Sequence, residues 1–160
     1  MTPAPDSPEL VLACFKCIFG NASPDFYSYA NRLAIQKISY FLKAAGLAFN
    51  ERHFGWYIKG PYSASVASLA YHCMEKPDLN PAELTDGQIK RLDALRELVT
   101  QDGKASVDLI ELYGSLEFML VEERVSKEEA VERFLGRKPW FGQAQVEKAL
   151  HDLLALRQTA

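Results

Sequence analysis

Cys14-Phe-Lys-Cys17 is the first place along the chain where residue type and spacing suggest chemistry. A Cys-x-x-Cys pair joined by His72-Cys73 would supply the four tetrahedral ligands that a structural zinc takes. Cys14, Cys17, His72 and Cys73 are therefore the candidate metal ligands. Their surroundings argue for packing instead. The pair lies in an apolar run with helical spacing, where a thiol behaves as a small hydrophobe. His72 and Cys73 are adjacent, which turns them about 100° apart around a helix and away from a common ion. No strand is predicted before the pair, so it lacks the setting of a thioredoxin-like redox motif. The expectation is packed thiols, with no metal and no cofactor. An odd number of cysteines, three, also suits a reducing cytoplasm better than a disulfide framework.

Other catalytic signatures are weaker still. His53, His72 and His151 are scattered, and nothing local marks a cysteine as an activated nucleophile beside one of them. The carboxylate doublets Glu122-Glu123 and Glu128-Glu129 fall at predicted helix ends, where solvation and the helix dipole account for them. The sequence has no GxxxxGK[ST], GxGxxG, GxSxG or HExxH. An enzyme is not expected. What does cluster is polar and aromatic: Arg32, Gln36, Lys37, Lys43, Arg52 and Lys59 are interleaved with Tyr40, Phe54, Trp56, Tyr57 and Tyr62. Such a set stacks on a partner's side chains or on bases, or else forms core with a wet cationic face. Gly60-Pro61-Tyr62-Ser63 then reads as a rigid joint. Proline restricts Gly60 to extended backbone, fixes its own φ and delivers Ser63 as a helix N-cap.

The elements that must position these residues are almost all helical. Ser7-Pro8 starts a helix that stops at Gly20, and Phe26 to Ala45 forms a second, closed by Gly46. Ser63 opens a third through Met74. Thr85-Asp-Gly-Gln88 is a capping-box pattern whose helix keeps its spacing up to Gly103. Ser106 opens a helix with Leu109, Tyr113, Leu116 and Leu120 on one face and Ile110, Leu112 and Met119 beside them, the expected central helix. Ser126 with Glu129 is a second capping box, leading to a stop at Gly136, and a last helix carries Val146, Ala149, Leu150, Leu153 and Leu154. One stretch departs from this period. Residues 47–61 alternate Phe54, Trp56 and Ile58 against His53, Tyr57 and Lys59, which is strand spacing. The fold class is thus all-α, about seven helices in one bundle spanning residues 1–160, with a short extended segment or hairpin near residues 47–60. Residues 1–7 are expected to fray.

Composition sets outer limits. At 160 residues, with 48% hydrophobic and 24% charged residues, the chain has the make-up of one ordinary globular domain. A net charge of -3 argues against a general phosphate-backbone binder. The charge is uneven. Residues 1–76 carry seven Lys and Arg against five Asp and Glu, while residues 77–160 carry eleven against sixteen, an acidic helical half. The apolar run Leu10–Gly20 follows prolines and the acids Asp6 and Glu9, and Lys16 interrupts it, so neither a secretory leader nor a membrane span is expected.

Ile35-Gln-Lys-Ile-Ser-Tyr-Phe-Leu42 followed by Phe54-Gly-Trp-Tyr-Ile-Lys-Gly-Pro-Tyr-Ser63 resembles the Panacea superfamily, the SocA-like antitoxin domains and their YwgA-like relatives. The likeness covers roughly residues 30–75, and Lys59 stands where that pattern has an aromatic. It implies a mostly helical, non-enzymatic, cytoplasmic bacterial protein, associated with phage or mobile elements, that neutralises a cognate toxin by direct binding or acts as a protease adaptor. The expected contact residues are Gln36, Lys37, Tyr40, Trp56, Tyr57, Lys59, Tyr62 and Ser63. A helical DNA-binding regulator is the alternative, with residues 64–75 as recognition helix, although ASVASLAYHCME offers few side chains that read base edges. A metal protein or unrecognised hydrolase is the third reading.

Overall fold

A computed structural model describes residues 6–20, 24–57 and 59–158. Seven helices carry it: α1 (Pro8–Phe19), α2 (Tyr29–Ala44), α3 (Ala64–Glu75), α4 (Asp86–Val99), α5 (Val107–Val121), α6 (Lys127–Arg137) and α7 (Gln143–Gln158). Two small antiparallel hairpins interrupt them, β1 (Gly55–Tyr57) with β2 (Gly60–Tyr62) and β3 (Thr100–Gln101) with β4 (Lys104–Ala105). The mostly helical class with a short hairpin is as the periodicity predicts. No helix of the described residues is long and apolar enough to cross a membrane.

Capping chemistry sets most helix starts. The hydroxyls of Ser7, Ser63, Thr85, Ser106 and Ser126 each accept a backbone N–H three residues on. At Thr85 the box is complete, because Gln88 Oε1 also accepts from the Thr85 N–H. At Ser126 it is half made: the Glu129 carboxylate turns to Arg133 instead of back to the cap. Of the segment expected to fray, residues 1–5 lie outside the described residues, but Asp6 and Ser7 are anchored. Asp6 accepts from the Phe49 N–H and from Arg52 Nε.

Two boundaries differ from expectation. Phe26 lies ahead of α2, in a loop where its ring meets Phe15 edge-on at 5.2 Å and the Arg32 guanidinium binds its carbonyl. After Val99 the chain does not continue as helix to Gly103. Asp102 and Gly103 both have positive φ (53° and 79°), the two-residue turn that an Asp-Gly pair favours, and they fold 100–105 into β3–β4.

Around α5 the rest is layered. Residues Ile110 to Met119 are all buried, and α2 lies along this helix in the most extensive packing of the molecule. Small residues permit the approach: Gly114 of α5 lies against Lys37 of α2, Ser115 lies against Gly60 of the hairpin, and Ser39 of α2 is sealed. Helix α1 packs on α3 and α4, while α6 and α7 cover the other side of α5. The β1–β2 hairpin is seated on α2 and α5 with register Gly55–Tyr62, Trp56–Pro61 and Tyr57–Gly60. Ile58 lies outside the described residues.

Candidate functional site

The aromatic-polar stretch builds a cleft of about 140 Å³ where α2, the first hairpin and α3 meet. Gln36 fixes its geometry. Its side-chain Nε2 donates to the Ser63 carbonyl at 3.0 Å, and its Oε1 accepts from the Ser63 N–H at 2.7 Å. The amide thus acts as one more strand residue and clamps the hairpin's exit to α2. Ser63 in turn caps α3 through Val66. Both residues are buried.

Gly60 is the second fixed point. Its φ of +115° suits glycine alone, and a Cβ there would fall 2.6 Å from Ser115 Oγ and 3.3 Å from Lys37 Cε. The sequence pattern predicts extended backbone before Pro61; Gly60 does pair in β2, but in the mirror-image region that brings its backbone onto α2 and α5.

Lys37 runs between these two helices. It is only 3% exposed, lines the cleft, and its side chain crosses Gly114 before reaching Gly60. No hydrogen bond or ion pair engages its ammonium among the described residues. Burial pushes its pKa down to about 7, with the charge of Lys138 and of Lys59 adding to the effect and Glu111 opposing it. Glu111 is itself committed to Lys138 at 3.1 Å, a buried pair.

Four tyrosines surround the opening: Tyr57, Tyr29, Tyr71 and Tyr62, at 60%, 57%, 41% and 39% exposure. The Tyr57 and Tyr62 rings meet across the hairpin at a tilt of 35°, with centroids 5.3 Å apart. Arg32 sits over Tyr29 at 5.8 Å and spends one nitrogen on the carbonyls of Phe26 and Tyr27. Half-buried Lys59 lies over Trp140 at 5.4 Å.

Expected contact residues thus separate into two groups. Tyr57 and Tyr62 are accessible, Lys59 and Trp56 are half-buried, and Lys37 reaches the cleft from inside. Gln36 also lines the cleft, but both its amide atoms are committed to Ser63. Tyr40 and Ser63 lie outside the lining, which corrects their expected place on the contact surface, and each is buried with its polar atoms partnered within the fold. The Tyr40 hydroxyl donates to Glu122 at 3.2 Å, and its ring meets Phe54 and Phe118. Trp56 is gripped between Phe118 and the Arg137 guanidinium, 4.4 Å from its ring. Sequence reasoning missed Tyr29, Tyr71 and Gly114. An isolated glycine inside an otherwise apolar helix is the signal that points to Gly114; the two tyrosines carry none.

The cysteines and His72 do not converge. Cys14 is sealed in α1, and burial raises its thiol far above the usual range. Cys73 donates to the Pro8 carbonyl at 3.1 Å, and burial raises its pKa to about 11. Cys17 faces Asp93, and burial raises its thiol too. His72 is exposed. Among the described residues no three His, Cys, Asp or Glu side chains are grouped to hold a metal ion. The exposed positions of α3 are Ala64, Ser68, Tyr71, His72 and Glu75, without a lysine or arginine among them. Comparison with family models, with curated proteins and with solved structures finds no match to this chain.

Proposed function

We propose that this chain is a non-enzymatic, cytoplasmic protein-binding module of the antitoxin or protease-adaptor type, whose contact face is the tyrosine-ringed cleft. The observation that carries this reading is the convergence of Tyr29, Tyr57, Tyr62 and Tyr71. Four of the large apolar side chains left exposed in the fold surround one opening. Scattered exposed rings are ordinary, whereas a contiguous aromatic patch is the composition of an interface core. Rigidity also supports it. The Gln36–Ser63 clamp and the Gly60 joint hold the hairpin's two tyrosines in place before any partner arrives, which lowers the ordering cost of association. The likeness of residues 30–75 to the SocA-like domains names the kind of partner, a toxin or a protease component.

The test is expression of the neighbouring reading frame alone and together with this chain, with tagged recovery of the complex from the native host. Growth arrest relieved by this chain, and lost again with Tyr57→Ser and Tyr62→Ser, is the expected result. A harmless neighbour and no stoichiometric protein recovered with the chain would sink the reading.

A further inference from the structure

Beyond its aromatic rim, the cleft carries charge of one sign. Arg32, Lys37 and Lys59 line it and, among the described residues, no aspartate or glutamate does. Glu111, the carboxylate that acts on Lys37 from α5, is already held by Lys138, from the end of α6. Carrying an ammonium on a side chain only 3% exposed, at the wall of the cleft and without a protein partner, opposes folding. Yet the fold makes room for it, with Gly114 beneath its first carbons and Gly60 beside its last. The tyrosine rings add flat apolar walls and hydroxyl donors. A volume of about 140 Å³ corresponds to about five waters at their liquid volume.

We propose that this cleft binds a compact anion, a carboxylate or phosphate group borne on a flat apolar body, with the charged end between Lys37, Arg32 and Lys59. The anion supplies the counter-charge that Lys37 lacks, in a setting where charge-assisted hydrogen bonds are strong. Because burial holds Lys37 near pH 7, an anion binding at pH 8 draws a proton onto its Nζ. The charged groups that act on that nitrogen are Glu111, Lys138 and Lys59, and Arg32 of its own helix lines the same cleft. The inference does not depend on the partner reading, since a free small acid and an acidic side chain of a polypeptide present the same chemistry.

Calorimetry on the full chain at pH 8, in two buffers of different ionisation enthalpy, tests it. The probes are phenyl phosphate, benzoate, its neutral analogue benzamide, and the capped dipeptide acetyl-Phe-Glu-amide. Saturable one-to-one binding of at least one anion, with proton uptake and without comparable binding of benzamide, is expected. Preference for phenyl phosphate or benzoate identifies a free small acid, and preference for the dipeptide identifies a polypeptide side chain; either supports the proposal. Lys37→Met is expected to weaken binding by about tenfold or more and to abolish the proton uptake. Lys59→Gln, on the half-buried rim, gives a second reading without touching the core. No saturable binding of any anion, benzamide bound as well as benzoate, or affinity unchanged in both variants would overturn the proposal.

Discussion

Lys37 of α2 lies so close across Gly114 of α5 that a Cβ on the glycine would sit 2.6 Å from Lys37 Cγ and 2.8 Å from its Cβ. The contact involves the root of the side chain, which cannot swing aside, so the helices themselves would have to separate. Alanine is the better helix former by about 0.5–1 kcal/mol, and overpacking costs about 1–3 kcal/mol. Gly114→Ala is therefore expected to lower stability on balance, by roughly 1–2 kcal/mol. Urea denaturation measures it; a variant as stable as the parent would show that α2 and α5 are less tightly apposed than described.

Stability should also depend on pH through Lys37. In the unfolded chain its ammonium keeps its proton up to about 10.5, whereas in the folded chain it loses it near 7. Between those values the unfolded state binds more protons, so this residue makes stability rise as pH increases from 7 towards 10.5, and its cost is at full size below 7. Lys37→Met is expected to be more stable than the parent at pH 6, by about 1–3 kcal/mol, with the gap closing as pH approaches 10. Denaturation curves for both proteins across that range decide it. A variant less stable than the parent at pH 6 would mean that the ammonium is partnered after all.

The clamp between Gln36 and Ser63 makes an opposite expectation. Gln36→Leu keeps the volume roughly constant but strands the buried Ser63 N–H, while the Ser63 carbonyl keeps its bond from the Ala67 N–H. One unsatisfied buried donor costs about 1–3 kcal/mol, and a loss of that size is expected. The Ser63 amide should lose its protection from hydrogen exchange in the same variant, ahead of amides in α5. Unchanged exchange at Ser63 would place the clamp elsewhere.

How far the sequence reveals all this depends on how local the cause is. The N-caps at Ser7, Ser63, Thr85, Ser106 and Ser126 are legible because each is decided within four residues, and so is the buried stripe of α5. The β3–β4 hairpin is hidden by its brevity, since two-residue strands show no period and only Asp102-Gly103 betrays them. Gln36 and Tyr40 look like surface residues in a sequence; they are internal because their polar atoms are satisfied by Ser63 and Glu122, 27 and 82 residues away. The cleft is invisible for the same reason. Its walls come from α2, the hairpin and α3, and the glycine that lets Lys37 in belongs to α5.

The hairpin tyrosines separate recognition from folding. Tyr57 and Tyr62 meet each other, and both are partly exposed on the cleft wall. Replacing them together by serine removes the buried part of each ring, the larger part at Tyr62, which is only 39% exposed, so stability should fall by about 1–2 kcal/mol. A partner docking on the aromatic rim would nonetheless lose its anchors, and truncating such residues typically costs about 2 kcal/mol or more of binding, a factor of about 30. Trp56→Ala is the contrasting case. Its ring is sandwiched between Phe118 and Arg137, so it is expected to cost stability first, by about 2–4 kcal/mol, whatever it does to binding. Measuring melting temperature and partner affinity side by side distinguishes the two. If the double tyrosine variant binds its partner as tightly as the parent does, the contact face lies elsewhere on the molecule.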